Sequence, residues 1–191
     1  VRQIIAGYTK LSDADWAEIV PRLDRMQIPK GFDLLEEGSV CRYVWFLEHG
    51  LLRYYHYADG VEATLFFTVA PYCFTSQRSL TKQEPAAESI QALEDCTIWR
   101  MTRTDAYALF ANVAWSNFVR ELVQEVQFYT QQLLQEAQTQ TAEERYITLL
   151  QQNGALLNRV PLKYLASYLG IAPQSMSRIR KKITEQDANF T

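Results

Sequence analysis

Side chains suited to molecular recognition are concentrated near the end of the chain, between residues 160 and 183. Arginine can fork onto guanine O6 and N7, glutamine can pair with adenine N6 and N7, and serine can bond a phosphate or a base edge. Lysine ammonium groups neutralise phosphates. Side chains of these types fit the surface of a DNA duplex. The residues that carry them, with the proline that precedes them, are Pro173, Gln174, Ser175, Ser177, Arg178, Lys181 and Lys182.

Two short helices must position these side chains. Pro161 and Pro173 each suit the first turn of a helix. Gly170 lies between them and permits the left-handed backbone that ends a helix sharply. A small residue, Ala166, stands where the two helices would cross closely. The pattern predicts a helix, a three-residue turn and a second helix over 173–183.

The second helix of this pair has an apolar and a polar side. At about 100° per residue, Gln174, Arg178 and Lys181 lie opposite the apolar residues. They are therefore predicted to point away from the domain, although an ordinary surface helix pair would show the same amphipathic pattern. The inward-facing residues are Met176, Ile179 and Ile183.

Charge is distributed unevenly along the chain. Residues 154–191 hold six basic and two acidic residues, a net charge of +4, whereas the other 153 residues hold 13 basic and 20 acidic, a net charge of −7. A basic tip on an acidic body would approach an anionic polymer by the tip alone. A solvated helix end explains the charge equally well, so the helical pattern has to carry the interpretation.

A long helix precedes the helix pair. Apolar residues between 114 and 137 follow steps of three and four, close to the spacing of a coiled-coil seam. A second stripe, formed by Val119, Val123 and Leu134, is predicted to pack on the preceding domain, so that the seam is left to meet a second copy of the chain. An ordinary core helix without a dimer is the alternative. The seam residues are Phe118, Leu122, Val126, Tyr129 and Leu133.

The boundary of the C-terminal domain is predicted near residue 139. Thr141 and Glu144 have the spacing of a capping box, which starts a new helix. The pair Asn153-Gly154 is typical of a helix C-terminus and predicts that this helix ends there.

Residues 27–101 have the pattern of an antiparallel β domain. Short runs of β-branched and aromatic residues alternate with turn signals, and Asp59-Gly60 between two such runs predicts a hairpin. Many short, evenly spaced strands favour a small barrel or jelly roll. The predicted strands are Asp33–Glu36, Arg42–Glu48, Leu51–Tyr57, Glu62–Val69, Glu88–Leu93 and Thr97–Met101.

From about Leu11 to Ile183 the chain resembles the Crp/Fnr family of bacterial transcription regulators. The resemblance lies in the stretch Lys30–Gly38, in Tyr43–Leu47 followed by Gly50, and above all in the helix-turn-helix. It implies an α+β fold: an N-terminal antiparallel, jelly-roll-like β-roll over 1–113, a long dimerisation helix over 114–138 and a small all-α helix-turn-helix domain over 139–191.

The resemblance implies a homodimer that reads a pseudo-palindromic site in double-stranded DNA with helix 173–183. RNA polymerase is a further partner that it implies, whereas activation or repression depends on where the site lies. The sequence departs from the family at Ala172, where a Ser or Thr N-cap is usual, and little chain is left for the usual β-wing.

The effector site shows a larger departure. Family members that bind cyclic nucleotide have a Gly-Glu-Leu turn and then Arg-Ser-Ala, which hold the ribose and the phosphate. The corresponding stretches here are Thr75-Ser76-Gln77 and Ala86-Ala87-Glu88, which lack both the ribose-binding Glu and the phosphate-binding Arg. Glu88 instead places a negative charge there. A buried phosphate without a cation is poorly compensated, so we expect no tight cyclic AMP binding, no cofactor, and another small effector or none. The candidate pocket residues are Thr75, Ser76, Gln77, Arg78, Ala86 and Ala87.

Composition and residue counts bear on the remaining classes. Apolar residues make up 48% and charged residues 21%, as in a folded globular protein. No apolar run approaches the roughly 20 residues of a membrane span, and no leader pattern opens the chain, so we expect a cytoplasmic protein without a membrane partner. Cys41, Cys73 and Cys96 are too dispersed for a zinc site, an iron–sulfur cluster or a disulfide framework, and are predicted to be reduced and buried.

An enzyme is not expected. The chain has two histidines, His49 and His56, too few for the metal cluster of a small β-barrel enzyme. It also lacks a persuasive Ser/His/Asp order and a glycine-rich phosphate loop. Two alternatives stay open at this point: haem held by one of the histidines, and a small-molecule-binding β-roll sensor whose C-terminal tail does not read DNA.

Overall fold

The computed structural model describes residues 1–188, with eight α-helices, two short 3₁₀ helices and eight strands in that part of the chain. The strands are β1 Asp24–Ile28, β2 Asp33–Leu35, β3 Tyr43–His49, β4 Leu51–Ala58, β5 Val61–Val69, β6 Tyr72–Phe74, β7 Ser89–Ala92 and β8 Cys96–Thr102. The helices are α1 Arg2–Ala6, α2 Asp13–Ile19, α3 Gln77–Lys82, α4 Arg103–Ala108, α5 Val113–Thr139, α6 Ala142–Arg159, α7 Leu162–Leu169 and α8 Pro173–Ala188.

The strands form two four-stranded antiparallel sheets. Their orders are β1-β8-β3-β6 and β2-β7-β4-β5. Buried residues from both sheets, such as Trp45 and Ile98 in one and Leu52 and Ile90 in the other, meet in a shared core. Alternation along each strand buries one face against this core. The expected antiparallel β domain is therefore present.

The predicted hairpin between β4 and β5 is confirmed. The two strands pair along their full length, from Leu51 opposite Val69 to Ala58 opposite Val61. Asp59 and Gly60 at its tip have φ values of 52° and 78°. A two-residue turn of this kind requires positive φ, and Asp and Gly tolerate it.

Two strands were not expected from the sequence. β1 pairs only with β8 and begins with two consecutive exposed charged residues, Asp24 and Arg25, so it lacks the apolar pattern of a strand. β6 has three residues and follows Pro71. Both are edge strands, whose pairing is fixed by the neighbouring strand rather than by their own sequence.

The long helix α5 joins the β-roll to the C-terminal helices. Its first turns are anchored in the roll, where Trp115 and Phe118 pack against Phe46. Helix α5 ends at Thr139, next to the predicted domain boundary, and Thr141 and Glu144 form the predicted capping box that begins α6.

The predicted end of that helix at Asn153-Gly154 is confirmed as a break in the helix, but a second helical segment, which the sequence did not predict, follows it directly. Asn153 leaves helical geometry, with φ of −154° and ψ of 64°, but the helix resumes and continues to Arg159. The Asn153 side chain accepts a hydrogen bond from the Leu156 amide at 3.2 Å. It therefore caps the start of a second segment, because asparagine suits an N-cap as well as a C-cap.

Candidate DNA interface and effector cavity

The helix pair predicted from Pro161, Gly170 and Pro173 is present as α7 and α8. Gly170 ends α7 in the left-handed conformation, with φ of 72°. The Ile171 amide donates to the Ala166 carbonyl at 3.0 Å, which closes the last turn of α7. Residues 170–172 form the three-residue turn, and α8 begins at Pro173.

The two helices share a small core with α6. Ala166 is 1% exposed, so the close crossing that its small side chain permits is realised. The buried residues of this core include Leu165, Leu169, Met176 and Ile183, and partly buried Ile179 packs against them. The inward face of α8 is therefore the one that the sequence predicts.

The outer face of α8 carries most of the predicted DNA-reading residues. Gln174, Ser177, Arg178, Lys181 and Lys182 are all exposed there, and Pro173 is exposed at the start of the helix. Ser175 is half-buried and less accessible. We use "outer face" below for the five exposed residues of α8 named here.

Ser177 and Lys182 of the outer face contact other groups of the chain. The Ser177 hydroxyl donates to the Pro173 carbonyl one turn earlier, at 3.1 Å. Lys182 Nζ lies 2.6 Å from a carboxylate oxygen of Glu143, near the start of α6. Lys182 is therefore tied to α6, which lowers its availability for phosphate relative to a solvated lysine.

Helix α7 is docked on the β4–β5 hairpin, a contact that the sequence did not reveal. The Ser167 hydroxyl accepts from the Thr64 amide at 2.8 Å and donates to the Glu62 carbonyl at 3.2 Å. Tyr168 lies against Phe67, with ring centres 5.6 Å apart. The only sequence signal was a pair of tyrosines, Tyr164 and Tyr168, on the side of this helix away from Leu165 and Ala166.

A buried arginine completes this docking. Arg53 on β4 is 1% exposed, and its Nε donates to the Gln91 side chain at 3.0 Å. The guanidinium also pairs with Glu62 and lies between the rings of Tyr55 and Tyr164. A buried charge of this kind is costly unless it is paired, and the ion pair and the two rings compensate it, although Nη1 has no hydrogen-bond partner among the described residues.

A cavity of about 740 Å³ opens between β5, β6, α3 and α5. Its walls are mostly apolar and aromatic, which is typical of sites for small molecules. The walls include Leu65, Phe66, Tyr72, Phe74, Tyr107, Phe110, Phe118, Val119, Leu122 and Val126. We call it the effector cavity.

The sequence-predicted pocket residues divide into two groups. Thr75, Gln77 and Arg78 line the effector cavity. Ser76 and Ala86 are buried behind it, with 2% and 4% exposure, and Ala87 is exposed; none of these three is part of the lining. The region indicated by the sequence is therefore beside the cavity, but only half of the named side chains face it.

The charged side chains that line the cavity are an arginine paired with a carboxylate and two glutamates. Arg78 donates from Nε and Nη2 to one carboxylate oxygen of Glu84, at 3.2 and 3.1 Å, and its side chain is 83% exposed. Glu88 and Glu125 are also part of the lining. Burial and then the nearby Glu125 raise the pKa of Tyr72. The sequence analysis noted Glu88 but did not identify Glu125.

The seam residues of α5 are in different environments. Phe118 is 1% exposed because it is buried in the core of its own chain, so it offers no surface to a second copy. Leu122, Val126 and Leu133 are half-buried along the cavity, and Tyr129 is 45% exposed.

The second stripe of α5 packs as expected only in part. Val119 is partly buried and packs against the β-roll as predicted, whereas Val123 and Leu134 are 39% and 60% exposed, so the prediction is wrong for these two residues. Only the N-terminal part of the helix is buried in the core of the roll, among Phe46, Trp115 and Phe118, and the following turns run along the effector cavity. Phe128, 66% exposed, is a further apolar residue on this length of the helix.

Within residues 1–188, every helix is too short or too polar to span a lipid bilayer. The described residues also hold no group of three or more His, Cys, Asp or Glu side chains placed to bind a metal ion.

Comparison with known proteins supports the β-roll directly. Residues 25–113 match the family model of the cyclic nucleotide-binding domain. No curated protein sequence matches the chain significantly.

Solved structures extend the likeness over most of the chain. FixK2 from Bradyrhizobium japonicum superposes with a TM-score of 0.75 at 17% identity, over 86% of each chain. A transcriptional regulator assigned to the Crp/Fnr family, from Eubacterium rectale, gives 0.73 at 17% identity, over 92% of this chain and 85% of that one. CLP from Xanthomonas campestris, a global regulator responsive to c-di-GMP, gives 0.72 at 12% identity, over 92% and 93%. At these identities the likeness establishes the fold, which is that of Crp/Fnr-type regulators.

Proposed function

We propose that this chain is a transcription regulator of the Crp/Fnr type that binds a specific sequence in double-stranded DNA. The outer face of α8 carries this proposal. It presents Gln174, Arg178 and Lys181 to solvent while Met176 and Ile183 are buried on the opposite side. In a helix-turn-helix the second helix enters the major groove with such a face. A DNA-binding regulator of this kind works in the cytoplasm, without catalysis, and RNA polymerase is its further partner.

The charge distribution supports this orientation. The segment that contains α7 and α8 has a net charge of +4 in an otherwise acidic chain. Approach by the β-roll would be repelled by DNA, whereas approach by the C-terminal segment would be attracted.

We propose that the active form is a homodimer joined along α5. Val126, Tyr129 and Leu133 lie on one side of the helix, and Val123, Phe128 and Leu134 remain largely exposed. An apolar length of helix of this kind is costly in water, and a second copy of the same helix would cover it. Two outer faces would then read half-sites about one helical turn apart, ~10 base pairs centre to centre.

The effector cavity is proposed to hold a small molecule other than cyclic AMP. CLP responds to c-di-GMP, but the cavity here offers no unpaired cation for phosphate among the described residues, because Arg78 is held by Glu84. Glu88 and Glu125 add negative charge at the same place.

Selection of binding sites from a random duplex library, at low and high salt, tests the DNA-binding proposal. We expect a two-fold symmetric motif that is lost at high salt, because phosphate contacts release counterions. Arg178→Ala is the matched variant and should select a motif that is relaxed at one base pair in each half-site.

The second candidate function is a β-roll sensor whose C-terminal helices do not read DNA. The docking of α7 on the β4–β5 hairpin favours it, because that contact ties the helix pair to the roll. It predicts that no symmetric motif is recovered at either salt concentration, with or without Arg178.

A further inference from the structure

We infer that the effector cavity binds an apolar, aromatic-sized small molecule that carries no negative charge, and that it rejects phosphate-bearing ligands. This inference rests on the proposed function only in treating the cavity as the effector site. Its grounds are the size of the cavity, its aromatic walls, one tyrosine hydroxyl and the charged residues of its lining.

Size and surface point to an organic ligand. A volume of about 740 Å³ lies within the usual range for small-molecule sites. Aromatic walls such as Phe66, Tyr72 and Phe74 favour a flat apolar body, which would bury its own surface against them. A ligand with a hydrated anionic group would lose hydration here without gaining a partner.

A tyrosine hydroxyl in the lining offers a polar contact. Tyr54 lines the cavity, is 3% exposed, and stacks on Phe66 with ring centres 4.1 Å apart. Among the described residues no hydrogen-bond partner is found for its hydroxyl. Burial, and next the charge of Glu88, raises the pKa of Tyr54 well above its ordinary value, so the hydroxyl stays protonated. A ligand with a donor or acceptor at this point would give the Tyr54 hydroxyl a hydrogen-bond partner.

The charged groups of the cavity select against anions. Arg78 is the only cationic side chain among the described residues of the lining, and it points outward to Glu84. Glu88 is half-buried beside Tyr54, and Glu125 lies near Tyr8 and Tyr72, whose pKa values it helps to raise. Two carboxylates without a facing cation repel a second anion and favour a neutral or cationic ligand.

The test uses the full chain in its native oligomeric state and a neutral fluorescent probe, N-phenyl-1-naphthylamine. Its fluorescence rises in apolar sites, so competitors can be ranked by displacement. The competitors share one ring system and differ in charge: 1-naphthylmethylamine, 1-naphthylmethanol and 1-naphthoate, with cyclic AMP and cyclic di-GMP as phosphate ligands.

We expect the probe to bind, and the amine and the alcohol to displace it about tenfold more strongly than the carboxylate, because like charges facing each other are costly. The two phosphate ligands should not displace it. Glu88→Gln should reduce the difference between amine and carboxylate, whereas Glu121→Gln, an α5 carboxylate that pairs with Arg120 and is not part of the lining, should leave it unchanged. Tyr54→Phe should weaken binding of the alcohol without abolishing probe binding.

Equal displacement by carboxylate and amine, or displacement by either cyclic nucleotide, would overturn the inference. Absence of probe binding would do the same, since it would mean that a second copy of α5 fills the cavity. Site selection on DNA is measured separately, so a failed selection with intact displacement contradicts the proposed function and leaves the ligand class standing.

Discussion

The guanidinium carbon of Arg53 lies 3.7 Å from the centre of the Tyr164 ring, although one residue is in the β-roll and the other in the first helix of the helix pair. The same guanidinium carbon lies 4.1 Å from the centre of the Tyr55 ring. Because Arg53 is excluded from water, the attraction between cation and ring is weakly screened. This stack, with the Ser167 hydrogen bonds, fixes how α7 sits on the roll.

Arg53 and Tyr164 should be energetically coupled. In a double-mutant cycle of Arg53→Met and Tyr164→Leu, measured by urea unfolding, we expect a coupling free energy of about 1–2 kcal/mol. Lys163 also approaches the Tyr164 ring, at 4.6 Å, but it is exposed. The control cycle with Lys163→Met should therefore give a smaller coupling. Strict additivity for Arg53 and Tyr164 would mean that the stack contributes nothing to the docking.

Gly50 should be intolerant of any side chain. Its φ is 118°, and an added Cβ would lie 2.9 Å from the Cβ and 3.1 Å from the Cα of Cys96. We expect Gly50→Ala to lower the free energy of unfolding by about 2–4 kcal/mol, from backbone strain and overpacking together. Gly60 is the control: its φ is 78° but its Cβ position is empty, so Gly60→Ala should cost only about 1–2 kcal/mol. Equal losses for the two variants would show that the contact with Cys96 is easily relieved.

Local patterns predicted the parts of this fold that local chemistry determines. The Asp59-Gly60 hairpin, the capping box of Thr141 and the amphipathic α8 each depend on residues within a few positions of one another. The docking of α7 joins Thr64 to Ser167, 103 residues apart, and no periodicity reports such a contact. The effector cavity was located only approximately for the same reason, since Glu125 reaches it from α5 and Tyr54 from β4.

The three cysteines should be unreactive in the native protein. All are buried, and burial raises the pKa values of Cys73 and Cys96, so little thiolate is present near neutral pH. With a disulfide reagent such as 5,5′-dithiobis(2-nitrobenzoate) at pH 8, we expect slow release of the chromophore from native protein. Denaturant should expose all three thiols at once. A fast reaction of one equivalent without denaturant would contradict the buried placement.

The capping box of α6 should contribute stability that disappears in acid. Hydrogen bonds from the Thr141 backbone, and next from its side chain, hold the pKa of Glu144 below its ordinary value. A depressed pKa gives stability that is present above the unfolded pKa of about 4.3 and is lost as the pH falls through the folded value.

Thr141→Ala should therefore destabilise α6 by about 1 kcal/mol near pH 7 and by less near pH 3. Circular dichroism during urea unfolding at the two pH values measures the difference. Thr139→Ala is the control, because its hydroxyl bonds to the Gln135 carbonyl within α5 and caps no helix. A Thr141→Ala effect that is the same at both pH values would show that Glu144 is not part of the cap.

Arg178 and Lys182 should affect DNA binding in different ways, if the outer face of α8 reads DNA. Arg178 is exposed and placed to reach a base edge, so Arg178→Ala should weaken binding to the selected site by about 1–3 kcal/mol and relax preference at one base pair. Lys182 is held by Glu143 at 2.6 Å, so its replacement removes a charge that is already partly neutralised. Lys182→Ala should lower affinity less and for all sequences alike. Fluorescence anisotropy with the selected duplex and a scrambled duplex, at several salt concentrations, separates the two effects. Equal losses on both duplexes for Arg178→Ala would assign that residue to phosphate rather than to a base.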